Sequence, residues 1–261
     1  MIWLLALQMS LSPQQQHYDN ATDGLAKMQF ARADEEVDAS LRLDPNFVPA
    51  LILKARLAIF AHRPDVARRC LIKAVSIEPS SESAQFFLGV FYYLQNDFLL
   101  GISPLEAARS LSPQDPMPIF YLAMSKEALG DATAALRLYQ EATARASGNK
   151  TAQTAAILVA YGRLLYSLGR FEESIAQDQL AIEADSQSRD AFYERAKGLE
   201  HQRQYQAAAE DGERALALPE LGTSDSQIHF LLGNIYLKLK QPDLANAHLA
   251  KFRAAPQTTQ R

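Results

Sequence analysis

The 261-residue chain has one cysteine, Cys70, and one tryptophan, Trp3. A single thiol excludes an intramolecular disulfide and a thiolate metal cluster. Flanked by Ala67, Leu71 and Ala74, Cys70 reads as a small buried hydrophobe. The five histidines, His17, His62, His201, His229 and His248, are scattered and form no His-x-x-x-His pair. No Gly-rich phosphate loop and no Gly-x-Ser-x-Gly elbow occurs. The carboxylate pairs Glu35-Glu36 and Glu172-Glu173 fall at the starts of expected helices, where they complement the helix dipole. The expectation is a non-enzyme with no catalytic residues, no metal and no cofactor. A net charge of −4 and the lack of a Lys/Arg run argue against a nucleic-acid partner. No apolar run approaches the ~20 residues that a membrane span requires.

What is present is ample material for a core: 48% of residues are hydrophobic and 21% charged. Residues 1–14 stand apart. Ile2 to Leu7 form a short apolar burst that leads through Gln8 to Pro13 into a glutamine run, with no positive charge before it. Two readings stay open: a cleaved or truncated export signal, which places the protein in the periplasm or outside the cell, or a frayed start, which places it in the cytoplasm.

From there the chain is punctuated. Pro45, Pro79 and Pro113 recur every 34 residues, each closing an Ala/Leu-rich phrase that a proline cannot continue as helix. Small residues recur in the same frame, as they must where two helices approach closely. In the first helix of each unit the site reads Ala21, Ala55, Gly89, Ala123, Gly162, Ala196 and Gly233. In the second helix it reads Ala33, Ala67, Gly101, Ala135, Ser174, Ala208 and Ala245. A third site reads Ser40, Ala74, Ala108, Ala142, Ala181 and Ala215, and breaks at Phe252. Large residues keep phase with them, Leu71, Leu105, Tyr139 and Leu249 among them, at helical spacings of three, four and seven. Asn96, Gly130 and Gly169 fall between the paired helices, where a left-handed cap is expected.

The phrases Leu88-Gly89-Val90-Phe91-Tyr92, Tyr161-Gly162-Arg163 through Ser174, and Leu232-Gly233-Asn234-Ile235-Tyr236 resemble the tetratricopeptide repeat signature. The resemblance covers nearly the whole chain, from near His17 to about Pro256. It implies an all-α solenoid, a right-handed superhelix of about seven helix-turn-helix hairpins. The units span approximately 14–47, 48–81, 82–115, 116–149, 155–188, 189–222 and 226–256, within a single solenoid at 15–256 followed by a tail at 257–261. The junctions Ser147 to Lys150 and Pro219 to Thr223 are expected longer turns.

The resemblance further implies a concave groove, lined by first helices, that takes a protein or peptide partner. By register the groove candidates are Ile52, Arg56, Phe60, Phe86, Tyr93, Met117, Phe120 and Met124 in an apolar stretch, then Arg163, Tyr166, Tyr193, Lys197, Phe230 and Asn234 toward a charged wall. Each ring has a competing reading as packing between hairpins. Some family members clamp a terminal carboxylate with a Lys/Asn/Arg set; Ile52 and Arg56 do not supply it, whereas Arg163, Lys197 and Asn234 leave it open. The function expected is a non-enzymatic interaction scaffold. The alternative is a regulatory or assembly subunit that dimerises through an uncapped C-terminal end marked by Phe252, or that senses an apolar ligand in the groove. Monomer and homodimer both remain open.

Overall fold

The computed structural model describes residues 12–220 and 222–255, and among them every regular element is a helix. The N-terminal apolar burst lies outside the described residues, as does the tail from Pro256. The chain forms two compact units that divide after Leu129.

The first unit holds α1 (Pro13–Ala26), α2 (Phe30–Leu43), α3 (Val48–Phe60), α4 (Pro64–Ile77), α5 (Glu82–Leu94), α6 (Phe98–Leu111) and α7 (Pro116–Ala128). The second holds α8 (Ala132–Ala146), α9 (Ala152–Ser167), α10 (Phe171–Ala184), α11 (Arg189–His201), α12 (Tyr205–Leu216), α13 (Asp225–Lys238) and α14 (Pro242–Ala254). Within each unit, helices pair as antiparallel hairpins and contact only neighbours one or two places along the chain.

Helix starts follow the local chemistry. Ser81, Asp115, Thr151, Ser188 and Ser224 place a side-chain oxygen on a free backbone N–H at the head of a first helix, and Ser224 with Gln227 closes a reciprocal capping box. Helix α2 ends at Leu43, α4 at Ile77 and α6 at Leu111, each two residues before the periodic proline. Pro104 sits inside α6, where it removes a backbone donor from the helix interior.

The turns within the hairpins share one device. Met28, His62, Asn96, Gly130, Gly169, Arg203 and Lys240 all have φ between 54° and 80°, so every first helix ends on a left-handed residue. The residue after it donates back across the turn: Gln29 N–H to Gly24 O at 2.8 Å, Arg63 to Ala58 at 2.8 Å, Arg170 to Leu165 at 2.9 Å, and Gln204 to Leu199 at 2.9 Å. These bonds hold even where a side chain with a β-carbon opposes the conformation.

All the periodic small sites are buried, from Ala21 and Ala33 in the first hairpin to Gly233 and Ala245 in the last; Ala55, Ala67, Ala123, Ala135, Ala196 and Ala208 have no exposed surface at all. The glycines show why. A β-carbon on Gly89 would stand 2.4 Å from Leu105 Cγ, one on Gly101 3.1 Å from Gly89 O, and one on Gly233 2.6 Å from Leu249 Cδ2. In the third and seventh hairpins the second helix drives its inward residue, Leu105 or Leu249, into the small site of its partner. In the sixth hairpin that inward residue is Gly212, and Leu232 of α13 fills its place. Phe252, where the third small site breaks, is 38% exposed.

The two irregular junctions differ from each other. Ser147 to Lys150 turns through Gly148 at φ 84°. The turn before α13 is tied down by hairpin six: the buried Arg189 donates to Leu218 O at 2.7 Å and to Asp225, and Asp190 accepts from Thr223 N at 2.8 Å.

Two expectations follow. Gly89→Leu overpacks the α5–α6 contact and lowers stability by about 1–3 kcal/mol or more, read from denaturant midpoints. Arg203→Gly relieves a left-handed side chain and raises stability by about 1 kcal/mol in the same measurement.

Candidate functional site

First helices approach one another directly in each unit, α3 to α5 to α7 and α9 to α11 to α13, while the second helices make no comparable contact with each other. The first helices therefore form the closer-packed, inner side of each stack. The candidate residues lie on these first helices, in both units.

In the first unit, Ile52 and Phe120 are each only 8% exposed, which returns them to the core. Ile52 packs with Leu51, Ala74 and Ala84, between the second and third hairpins. Phe60 is 63% exposed, but it ends α3 and stacks on Phe30 of α2 at 4.4 Å, at the turn edge rather than mid-face. Arg56 is exposed, with its guanidinium 5.1 Å from the Phe87 ring centroid. Met117 and Met124 are half-buried. The coherent feature is an aromatic platform on α5 and α7. Phe86 and Tyr93, seven residues apart on one face of α5, both meet the edge or face of Tyr121, at 5.7 Å and 5.5 Å. Tyr93 also meets Phe98, at 5.6 Å. Phe86, Tyr93 and Tyr121 are all partly exposed, and burial pushes the Tyr121 hydroxyl above its usual range. Tyr121, which follows Phe120 by one residue, takes the outward place that register assigns to its neighbour.

In the second unit, Tyr166, Tyr193 and Lys197 come together. The Lys197 ammonium lies 4.8 Å from the Tyr166 ring centroid and 5.4 Å from that of Tyr193, and pairs with the buried Glu194 at 2.5 Å. Its charge is satisfied internally, so it is not the free cation that a carboxylate clamp needs. Burial, with Glu194 beside it, pushes Tyr193 up to about 12. Phe171 and His201 stack at 3.5 Å beside Tyr166. Arg163 is exposed and Asn234 half-buried, and neither joins this cluster. Phe230 is 48% exposed and meets Phe252 at 5.0 Å.

Beneath this cluster lies Asp178, which holds the inward site that Leu71 and Leu105 hold in other hairpins. It has no exposed surface, and neither carboxyl oxygen makes a hydrogen bond. Its Oδ1 occupies the space over Gly162, 2.5 Å from where a β-carbon would be. Burial first, then the charge of Glu194, raises the carboxyl to about 8, with Lys197 and Arg195 offsetting this only in part. Arg195 is itself committed to Asp211 through two bonds of 2.6 Å.

Two further features lie outside these clusters. A cleft of about 420 Å³ is lined by the inserted turn Ser147 to Lys150 and by Leu158 of α9 and Leu180 of α10. In the last hairpins, His229 and His248, which are 19 residues apart in sequence, meet at 3.0 Å. Among the described residues no three His, Cys, Asp or Glu side chains converge as a metal cage, and no helix is long and apolar enough to cross a membrane.

The hairpin solenoid with buried small sites defines a helical-repeat scaffold. Models of the tetratricopeptide repeat match residues 52–116 and 117–187, together just over half of the chain, which is a tetratricopeptide-repeat protein. Solved structures similar to it include the Cut9–Hcn1 hetero-tetramer of the APC/C (TM-score 0.70, 17% identity, 85% of this chain and 46% of that one). The chain thus spans less than half the length of that relative. A tetratricopeptide repeat protein from Parabacteroides merdae aligns over 95% of this chain and 94% of its own (TM-score 0.67, 13% identity). YrrB, described as a TPR protein with an unusual peptide-binding site, aligns over 69% and 91% (TM-score 0.51, 18% identity). A search of curated proteins finds no match. The class is a typically non-catalytic scaffold for protein–protein interaction.

Asp178 makes a testable mark on stability. Its native carboxyl titrates above the unfolded one, so between about pH 4 and pH 8 the native state holds one proton more than the unfolded chain. Its contribution is full below the unfolded value near 3.8 and falls by ~1.4 kcal/mol per pH unit until the native value near 8 is passed. Asp178→Asn removes this slope. The stability difference, variant minus wild type, should rise steadily from pH 4 to pH 8 in chemical melts.

Proposed function

We propose that the protein is an adaptor that captures an apolar segment of a partner protein on the first-helix face of its N-terminal unit, with the Phe86–Tyr121–Tyr93 platform as the anchor. The observation that carries this reading is the platform itself: three partly exposed rings on α5 and α7, with Phe86 and Tyr93 each in contact with Tyr121. Large rings with few rotatable bonds supply contact area at low entropic cost, and they are the residue types in which interface energy concentrates. Two half-buried methionines, Met117 and Met124, lie on the same α7 and offer an adaptable surface beside the rings. YrrB, of the same fold, is described as having a peptide-binding site, which agrees with this use of the scaffold.

The charged wall of the second unit has a different role in this reading. Lys197 is neutralised by Glu194 and capped by two tyrosines. That wall holds adjacent hairpins together, and the partner's chief contacts fall on the aromatic platform.

The test is a paired measurement on Phe86→Ala with Tyr93→Ala. Immobilised wild-type protein should retain a specific partner, identified by mass spectrometry, and the double variant should lose it while its melting temperature falls by only a few degrees. Loss of partner in proportion to loss of fold would return these rings to a purely structural role.

A further inference from the structure

The last two hairpins carry a constellation that partner capture does not use. His229 on α13 and His248 on α14 face each other with Nδ1 to Nδ1 at 3.0 Å. His248 is braced from its other side, where Nε2 lies 3.2 Å from Glu213 Oε1 on α12. The same oxygen accepts from the Tyr236 hydroxyl at 3.0 Å. Three helices thus fix one imidazole and set its tautomer: Nε2–H donates to Glu213, and the lone pair stays on Nδ1, toward His229.

We propose that His229 and His248 form a two-imidazole site for a divalent late-transition-metal ion, Cu(II) or Ni(II), bound through both Nδ1 atoms. Two nitrogens held ~2.0–2.1 Å from one ion at about 90° stand roughly 2.9 Å apart, whereas a tetrahedral angle requires about 3.4 Å. The observed separation therefore fits adjacent positions of a square-planar or tetragonal ion and is short for a tetrahedral one. The Glu213–His248 contact is the carboxylate–imidazole arrangement that orients a metal-bound histidine and strengthens it as a donor. Tyr236 holds the carboxylate in turn.

The surroundings suit the site. The charged groups that face the pair are Glu213, Asp225 and Lys251, a net negative set. His248 is buried, while His229 is half-exposed and gives the ion a route in. Without metal the two rings share a hydrogen bond, His229 Nδ1–H donating to His248 Nδ1. Binding requires His229 to carry its proton on Nε2 instead and the two rings to turn so that both Nδ1 lone pairs meet at the ion.

The experiment is calorimetric titration of the full chain with NiCl₂ and, separately, CuCl₂ at pH 7.5 in a weakly coordinating buffer. One ion per chain is expected, with affinity at least tenfold weaker in His229→Ala and in His248→Ala, and unchanged in His201→Ala. Glu213→Gln, which keeps the side-chain shape, should weaken binding by about tenfold. Absence of saturable binding, or equal affinity in His229→Ala, overturns the site. Tighter binding of ZnCl₂ than of NiCl₂ overturns the assigned ion class. His229 is half-exposed, so its variant decides the question even if loss of the buried His248 unfolds the protein, with circular dichroism as the check on fold.

Discussion

The structure depends on one steric constraint: the inward residue of each second helix needs a place on the first, and that place exists only where the first helix has almost no side chain. Leu105 over Gly89 and Leu249 over Gly233 show the contact at its tightest, with no room for a single extra carbon. Close pairing in turn brings successive first helices near one another, and that proximity gives each unit an inner face on which rings can collect. The left-handed turns serve the same geometry by reversing the chain in the fewest residues. Where the inward residue changes, as at Asp178 and Gly212, its surroundings change with it: Gly162 lies under a carboxylate, and Leu232 reaches in from the next hairpin.

That constraint also explains what could be read from sequence. A site that tolerates only Gly, Ala or Ser leaves a trace in composition, so the 34-residue period, the small sites and the hairpin boundaries were visible in the letters. Exposure along the groove was not, because it depends on what the next hairpin presents. Ile52, Phe86, Phe120 and Phe230 share a register yet range from core to half-exposed. The turns gave only partial signals. Asn96, Gly130 and Gly169 suggested a left-handed residue by type, whereas Met28, His62, Arg203 and Lys240 do so only by position. The His229–His248 contact spans two helices, beyond the reach of a motif based on short spacing.

The two units use similar hairpins differently. On α5 and α7 the inner face is aromatic and leaves surface uncovered. Around α11 the polar groups answer one another, Lys197 with Glu194 and Arg195 with Asp211 of α12, which leaves Asp178 of α10 as the unanswered member. A buried ion pair surrounded by rings holds position more than it adds net stability, so that part of the scaffold is fixed in shape at some energetic cost.

Contacts that reach only one or two helices along the chain make each unit a nearly one-dimensional assembly, in which stability is a sum over adjacent hairpins and no distant segment holds a weak one in place. In such an assembly melting ordinarily starts at the ends, where hairpins have a single neighbour. The carboxyl buried in the fifth hairpin adds a second weak point, an internal one. In alkaline solution ionisation of that carboxyl weakens the fifth hairpin from within, and amide exchange there should rise with pH relative to the flanking hairpins of the same unit.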